Sequence, residues 1–204
     1  MTTHDFAVES SRDVHIGRVM ALRADRVVMP GGRVATREIL EHPGAVAIAA
    51  LDDDDRLAMI LQYRHAVGRR LWELPAGLLD VAGEDPATTA ARELTEEAGL
   101  AAREWSVLVD TAPSPGFSDE SVRIFLARGL TEVGRPAGED DEESEIELRW
   151  VPLAEALEQV LDGTIVNGAT VAGVLAVHAL GGRAGRPADA DWPDRPTRFA
   201  ARPH

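Results

Sequence analysis

The chain contains no cysteine and, across its 204 residues, no lysine: all 21 of its basic residues are arginine. The first absence excludes disulfide frameworks, thiolate zinc sites and cysteine nucleophiles. The second excludes a Walker A phosphate loop and any Schiff-base mechanism, since both need a lysine amine. Basic charge is short as a whole, with 35 acidic residues against 21 arginines and a formal net charge of -14. That balance opposes binding to nucleic acid and long-range steering of an anionic substrate, so an anionic substrate requires a local cation. Long apolar runs are missing too. "GAVAIAAL" (44–51) and "GVLAVHAL" (173–180) fall far short of the about 20 residues that cross a bilayer, and no membrane partner is expected. The opening "MTTHDFAVESSRDV" has neither the basic start nor the apolar stretch of an export signal, which makes the cytoplasm the expected compartment. No H-x-x-x-H pair and no G-x-S-x-G elbow occurs, so zinc-protease and serine-triad chemistry have no support.

What is present describes an ordinary globular chain, 45% hydrophobic and 27% charged, long enough for one domain with a small appendage. Residues 14–51 read as short strands around the turn at Gly31 and Gly32, and a second pair, 56–66 and 70–77, follows the acidic turn "DDDD". Further strands are expected at 104–110, 120–130 and 146–152, and two helices at "LAEALEQVLD" and "GATVAGVLAVHAL". The class is α+β. The expected division is a flexible tail at 1–13, an N-terminal antiparallel β region at 14–40, a main domain at 41–180 and a Pro-, Gly- and Arg-rich C-terminal arm at 181–204.

One helix is sharply punctuated. Asp85 is a good N-cap, Pro86 suits the first helical position and Gly99 the residue past the end. Between them Ala87, Ala90, Ala91, Leu94 and Ala98 recur at helical spacing, which predicts a helix over about 86–98 with one apolar face. On it Glu93, Glu96 and Glu97 gather at i, i+3 and i+4, a repulsive arrangement that costs an isolated helix a few tenths of a kcal/mol per pair. Two readings account for it: a solvated acidic face neutralised by Arg92, or a site for a hard divalent cation that prefers carboxylate oxygen.

The surrounding stretch "GLLDVAGEDPATTAARELTEEAGL" (77–100) resembles the Nudix box. From Glu84 onward the fixed positions of that pattern are present: Glu84, Arg92, Glu93, Leu94, Glu96, Glu97, Gly99 and Leu100. Gly77 precedes Glu84 by six intervening residues where the pattern has five, so the loop before the helix is one residue longer. The resemblance implies the Nudix fold, mixed β-sheets sandwiched by helices, and hydrolysis of a nucleoside diphosphate linked to another group. It also implies two or more Mg²⁺ or Mn²⁺ ions held by Glu93 and Glu97, with the Ala76 carbonyl and Glu96 as further ligands. Gly77, Glu84, Arg92 and Gly99 take structural roles in the box, Glu84 and Arg92 either bracing the loop by a salt bridge or touching metal.

"DTAPSPGFSDE" (110–120), with Pro115 beyond the box, resembles the signature of the ADP-ribose pyrophosphatases, as do "QYRHAVGRRLWELPAG" and "REILEHPGAVAI". Taken alone, "SPGFSDE" is a capped turn. The resemblance implies ADP-ribose as substrate, a homodimer formed through the N-terminal β region, and substrate contacts at Arg37, Glu38, Arg64, Pro115 and Gly116. Met20 stands where relatives place an aromatic grip on the base. "GEDDEESEIEL" (138–148) reads by itself as solvated charge. In the subfamily a glutamate of this loop deprotonates the attacking water, and the alternation Ile146, Leu148, Trp150 then places that base at Glu142, with Glu143 and Glu145 as rivals.

Overall fold

The computed structural model describes residues 5–136 and 146–202; Glu142, Glu143 and Glu145 lie outside them. The chain divides into two compact units.

The smaller unit draws on the described parts of 1–44, 112–121 and 194–204. Its sheet is an antiparallel meander of β1 (Val8–Ile16), β2 (Ala21–Val28) and β3 (Val34–Glu41). The strand β1 begins at Val8, inside the stretch expected to be a flexible tail. It is exposed along its whole length, and backbone pairing with β2 from Val8 to Ile16 orders it without burial. The end of β3 is bridged in parallel to the 112–121 segment at Leu40 and Ser118, with Leu40 N–H donating to Phe117 O (2.7 Å) and Asp119 N–H to Leu40 O (3.1 Å). Little apolar area is buried here. Instead Glu41, fully buried, is surrounded by arginines, with Arg23 at 2.6 Å, Arg202 at 2.7 Å and Arg198 at 3.9 Å. Arg23 also pairs with Asp25, and Arg202 with Asp13.

The larger unit spans 45–111 and 122–193. Its five-stranded sheet has the order β13-β9-β10-β4-β7, from β4 (Ala45–Ala50), β7 (Ala76–Leu78), β9 (Glu104–Thr111), β10 (Val122–Arg128) and β13 (Arg186–Pro187). Only the β10–β4 pair is parallel. A three-stranded antiparallel sheet, ordered β12-β5-β6, is built from β5 (Arg56–Arg64), β6 (Arg69–Glu73) and β12 (Glu147–Pro152). A small ribbon pairs β8 (Leu100–Ala101) with β11 (Thr131–Glu132). The α-helices among the described residues are α1 (Pro86–Ala98), α2 (Leu153–Leu161) and α3 (Gly168–Leu180), and a single 3-10 turn spans His65–Val67; none of these helices is long and apolar enough to cross a membrane.

The period-2 alternation of β4 splits the core. Ala47, Ala49 and Leu51 join Val174 and Val177 of α3, while Val46, Ile48 and Ala50 join Ala90, Leu94 and Ala98 of α1. The sheet is therefore apolar on both faces with a helix on each. The run expected as one strand over 70–77 is two: β6 ends at Glu73, and β7 joins the other sheet at Ala76. Proline has no N–H for a ladder, and Pro75 uses its carbonyl to accept from Ile48 N–H (2.8 Å). The C-terminal arm is packed. The Arg123 guanidinium grips Asp110 (2.8 and 3.1 Å), donates to the carbonyls of Ala190 and Asp191 (2.6 and 2.9 Å) and lies 4.7 Å from the Trp192 ring centre.

Candidate active site

The carboxylates of α1 owe their placement to the way the helix starts and stops. Asp85 accepts from the N–H groups of Ala87 and Thr88 (3.0 and 3.3 Å), Pro86 opens the helix, and Gly99 closes it in the left-handed region at φ 67°. These three residues fix the helical phase. The apolar stripe Ala90, Leu94, Ala98 then locks onto β4, and Glu93 and Glu97, one turn apart, fall on the flank that meets β7.

The segment "ELPAG" (73–77) reaches that flank anchored at each step. Glu73 pairs with Arg64, Leu74 N–H donates to Thr170 Oγ1 (3.0 Å), Pro75 O accepts from Ile48, and Ala76 N–H donates to Glu97 Oε2 (2.8 Å). Gly77 completes the approach. A Cβ there would lie 2.0 Å from Glu93 Cδ, so the space that a side chain would fill is the space the Glu93 carboxylate uses.

Arg92 ties the remaining acids. Its Nη1 donates to Glu93 Oε1 and Glu96 Oε2, both at 2.8 Å, and its Nη2 to Glu84 Oε2 at 3.3 Å. Glu84 accepts a further bond from Thr89 Oγ1 (2.8 Å). Burial works against the Arg92 charge, but its bond to Glu84 and the charges of Glu93 and Glu96 outweigh it and hold the guanidinium above its ordinary range. Both flank carboxylates are shifted the other way. Burial pushes Glu97 up to about 8, against the bond from Ala76, and pushes Glu93 up to about 7, against the charge of Arg92. Asp80 adds repulsion at Glu93, and Glu73 at Glu97.

Two desolvated carboxylates, a backbone carbonyl at Ala76 and a cleared space at Gly77 form an oxygen-only donor set suited to a hard divalent cation, whose charge would reverse the cost of keeping both acids ionised. Among the described residues no three such groups already converge on one metal-sized point; the Arg92 guanidinium stands between Glu93 and Glu96. The chemistry of the donors fits the ion.

The structure brings Ala76, Gly77, Glu84, Arg92, Glu93, Glu96 and Glu97 together in the larger unit, with Arg64 within electrostatic reach of Glu97. Arg37, Glu38, Pro115 and Gly116 belong to the smaller unit, where the Leu40–Ser118 bridge sets the end of β3 beside the 114–118 turn. Phe117 stands 58% exposed on that turn, and Met20 is 41% exposed. Sequence reasoning passed over Glu73. The signal was a lone acid in the apolar "LWELP", since a buried carboxylate demands a cationic partner.

The NUDIX domain profile matches residues 40–169. An ADP-ribose pyrophosphatase of Mycobacterium tuberculosis is 59% identical over 99% of this chain and 98% of its own length. A methanol dehydrogenase activator of Bacillus methanolicus is 38% identical over 80% of this chain and 88% of its own. A solved structure described as an ADP compounds hydrolase superposes with a TM-score of 0.77 at 22% identity, covering 89% of this chain and 97% of that one, which is a likeness of fold.

Proposed function

The chain belongs to the NUDIX domain family, and on that premise we propose that it is a divalent-metal-dependent pyrophosphatase that hydrolyses ADP-ribose to AMP and ribose 5-phosphate. The observation that carries the chemistry is a pair of carboxylates, the buried Glu97 and the partly buried Glu93, set against the Ala76–Gly77 backbone. The near full-length identity to a protein named for ADP-ribose supports the substrate.

Glu93 and Glu97, with Glu96 and the Ala76 carbonyl, are the residues that would hold Mg²⁺ or Mn²⁺. When bound, such ions neutralise the diphosphate and acidify a water. The chain's own part is to keep those oxygens in place: Ala76 N–H holds Glu97, and Gly77 leaves room for Glu93. Arg64 is assigned to the substrate phosphates or terminal ribose. Arg37, Glu38, Pro115 and Gly116 are assigned to the remainder of the substrate, and Glu142 to proton removal from the attacking water, with Glu143 and Glu145 as rivals.

We assign a homodimer formed through the N-terminal β region. The edge strand β1 supports it: Val8, Val14 and Ile16 are each about half exposed on a strand that, among the described residues, is paired on one side only, the kind of edge a second chain covers. The function is tested by product analysis. ADP-ribose with Mg²⁺ should give AMP and ribose 5-phosphate faster than GDP-mannose, NADH or diadenosine polyphosphates; a faster rate on any of these moves the substrate assignment. Sedimentation of a single monomeric species that retains full activity would remove the dimer.

A further inference from the structure

We propose that Glu73 is the positioning residue for Arg64, holding its guanidinium in one orientation beside Glu97 for contact with the substrate. The inference rests on Arg64 touching substrate, as assigned above. Glu73 is 1% exposed, at the last position of β6, and its two carboxylate oxygens accept from Arg64 Nε (3.0 Å) and Nη2 (2.7 Å). Two parallel bonds fix the plane of a guanidinium as well as its place. They also occupy only one edge. Arg64 Nη1 has no hydrogen-bond partner among the described residues, and the side chain is 41% exposed, so the opposite edge is open to a ligand oxygen.

The same short backbone segment sets the carboxylate. Glu73 begins the anchored run that ends where Ala76 N–H bonds Glu97 Oε2 at 2.8 Å. Arg64 and Glu97, the cation and an anion of the site, are thus placed from one four-residue stretch. Held in advance, Arg64 contributes its contact without losing side-chain freedom on binding, a saving that corresponds to roughly 2- to 12-fold in affinity.

The test is a double-mutant cycle of Glu73→Gln and Arg64→Gln. It reads ADP-ribose affinity by calorimetry without divalent metal, KM and kcat with Mg²⁺, and the melting temperature. Glu73→Gln should raise KM and Kd by roughly 2- to 12-fold with kcat nearly unchanged, and the double variant should bind no more weakly than Arg64→Gln alone. Losses that multiply in the double variant, or a lower melting temperature with unaltered affinity, would overturn the proposal. Where Glu73→Gln does not fold, Glu73→Asp, which keeps the charge and shortens the reach, takes its place in the same cycle. If the wild-type protein neither binds nor cleaves ADP-ribose, the substrate reading has failed. The cycle is then measured on the nucleotide the wild type does cleave, and the coupling stands or falls on that.

Discussion

Replacing Gly77 by alanine separates the needs of the fold from the needs of the site. Gly77 lies outside the left-handed region, so alanine is compatible with its backbone and should stabilise by about 0.4–1 kcal/mol through the unfolded state. The new Cβ, however, stands 2.0 Å from Glu93 Cδ and 2.1 Å from Oε1, where contacts below 3.0 Å essentially never occur. Subtracting 2.0 from 3.0 Å, the carboxylate must move by at least 1.0 Å. What it meets is the end of a flexible side chain, and Glu93 swings toward solvent, which relieves the burial that raises its pKa to about 7. The melting temperature should therefore stay within a few degrees of wild type. Catalysis should not survive so well, since a misplacement of about 1 Å costs on the order of 10²-fold. AMP release with Mg²⁺ and thermal unfolding by circular dichroism measure the two sides. In a Glu93→Gln background the same change should cost nothing further. A Gly77→Ala protein with wild-type turnover would refute the reasoning, as would one that fails to fold.

Glu97→Gln should abolish most turnover yet stabilise the metal-free protein in mild alkali. Burial raises Glu97 to about 8, so the folded state holds that proton more tightly than the unfolded one. Wild-type stability is then complete below the unfolded value and declines as pH rises toward 8, and melting curves of both proteins at pH 4.5 and pH 8 should converge at the lower pH only. Asp110→Asn runs the opposite way. Burial raises its pKa, but the bonds and charges of Arg123 and Arg186 outweigh this and leave it lowered, so its stabilisation is present above the ordinary carboxylate range and is lost as pH falls. At pH 7 the variant should be destabilised by about 1.5–3 kcal/mol, the scale for hydrogen bonds to a charged group, and urea titrations should show the gap closing in acid. Glu142→Gln should lower kcat by about 10²- to 10⁴-fold with ADP-ribose affinity intact, and Glu143→Gln and Glu145→Gln should be mild; a large loss at either rival moves the base.

Local chemistry was readable and distant pairing was not. The helix over 86–98 announced itself because its cap, first-turn proline and terminal glycine are all neighbours in sequence, and its carboxylates followed from helical spacing. The strand β1 was hidden because "VESSRDVHI" is exposed throughout and carries no buried face to leave a period-2 signature. The break between β6 and β7 turned on a carbonyl of Pro75 meeting a strand 27 residues earlier, at Ile48. Arg123 with Asp110 and Arg64 with Glu73 are separated by 13 and 9 residues, spacings that match no local periodicity. The reason for Gly77 emerged only from geometry, for a glycine that makes room looks in sequence like a glycine that makes a turn.

The buried Glu41 has a consequence for how the protein is made. One of its counter-ions, Arg202, is synthesised 161 residues later, roughly 8 to 30 seconds at ribosomal rates. During that interval the nascent β-meander has Arg23 as its early cation, and completion of the smaller unit waits for Arg202 to be made and to leave the exit tunnel. A chain cut short before Arg202 would thus carry the carboxylate-bearing helix complete while the buried Glu41 lacks that counter-ion.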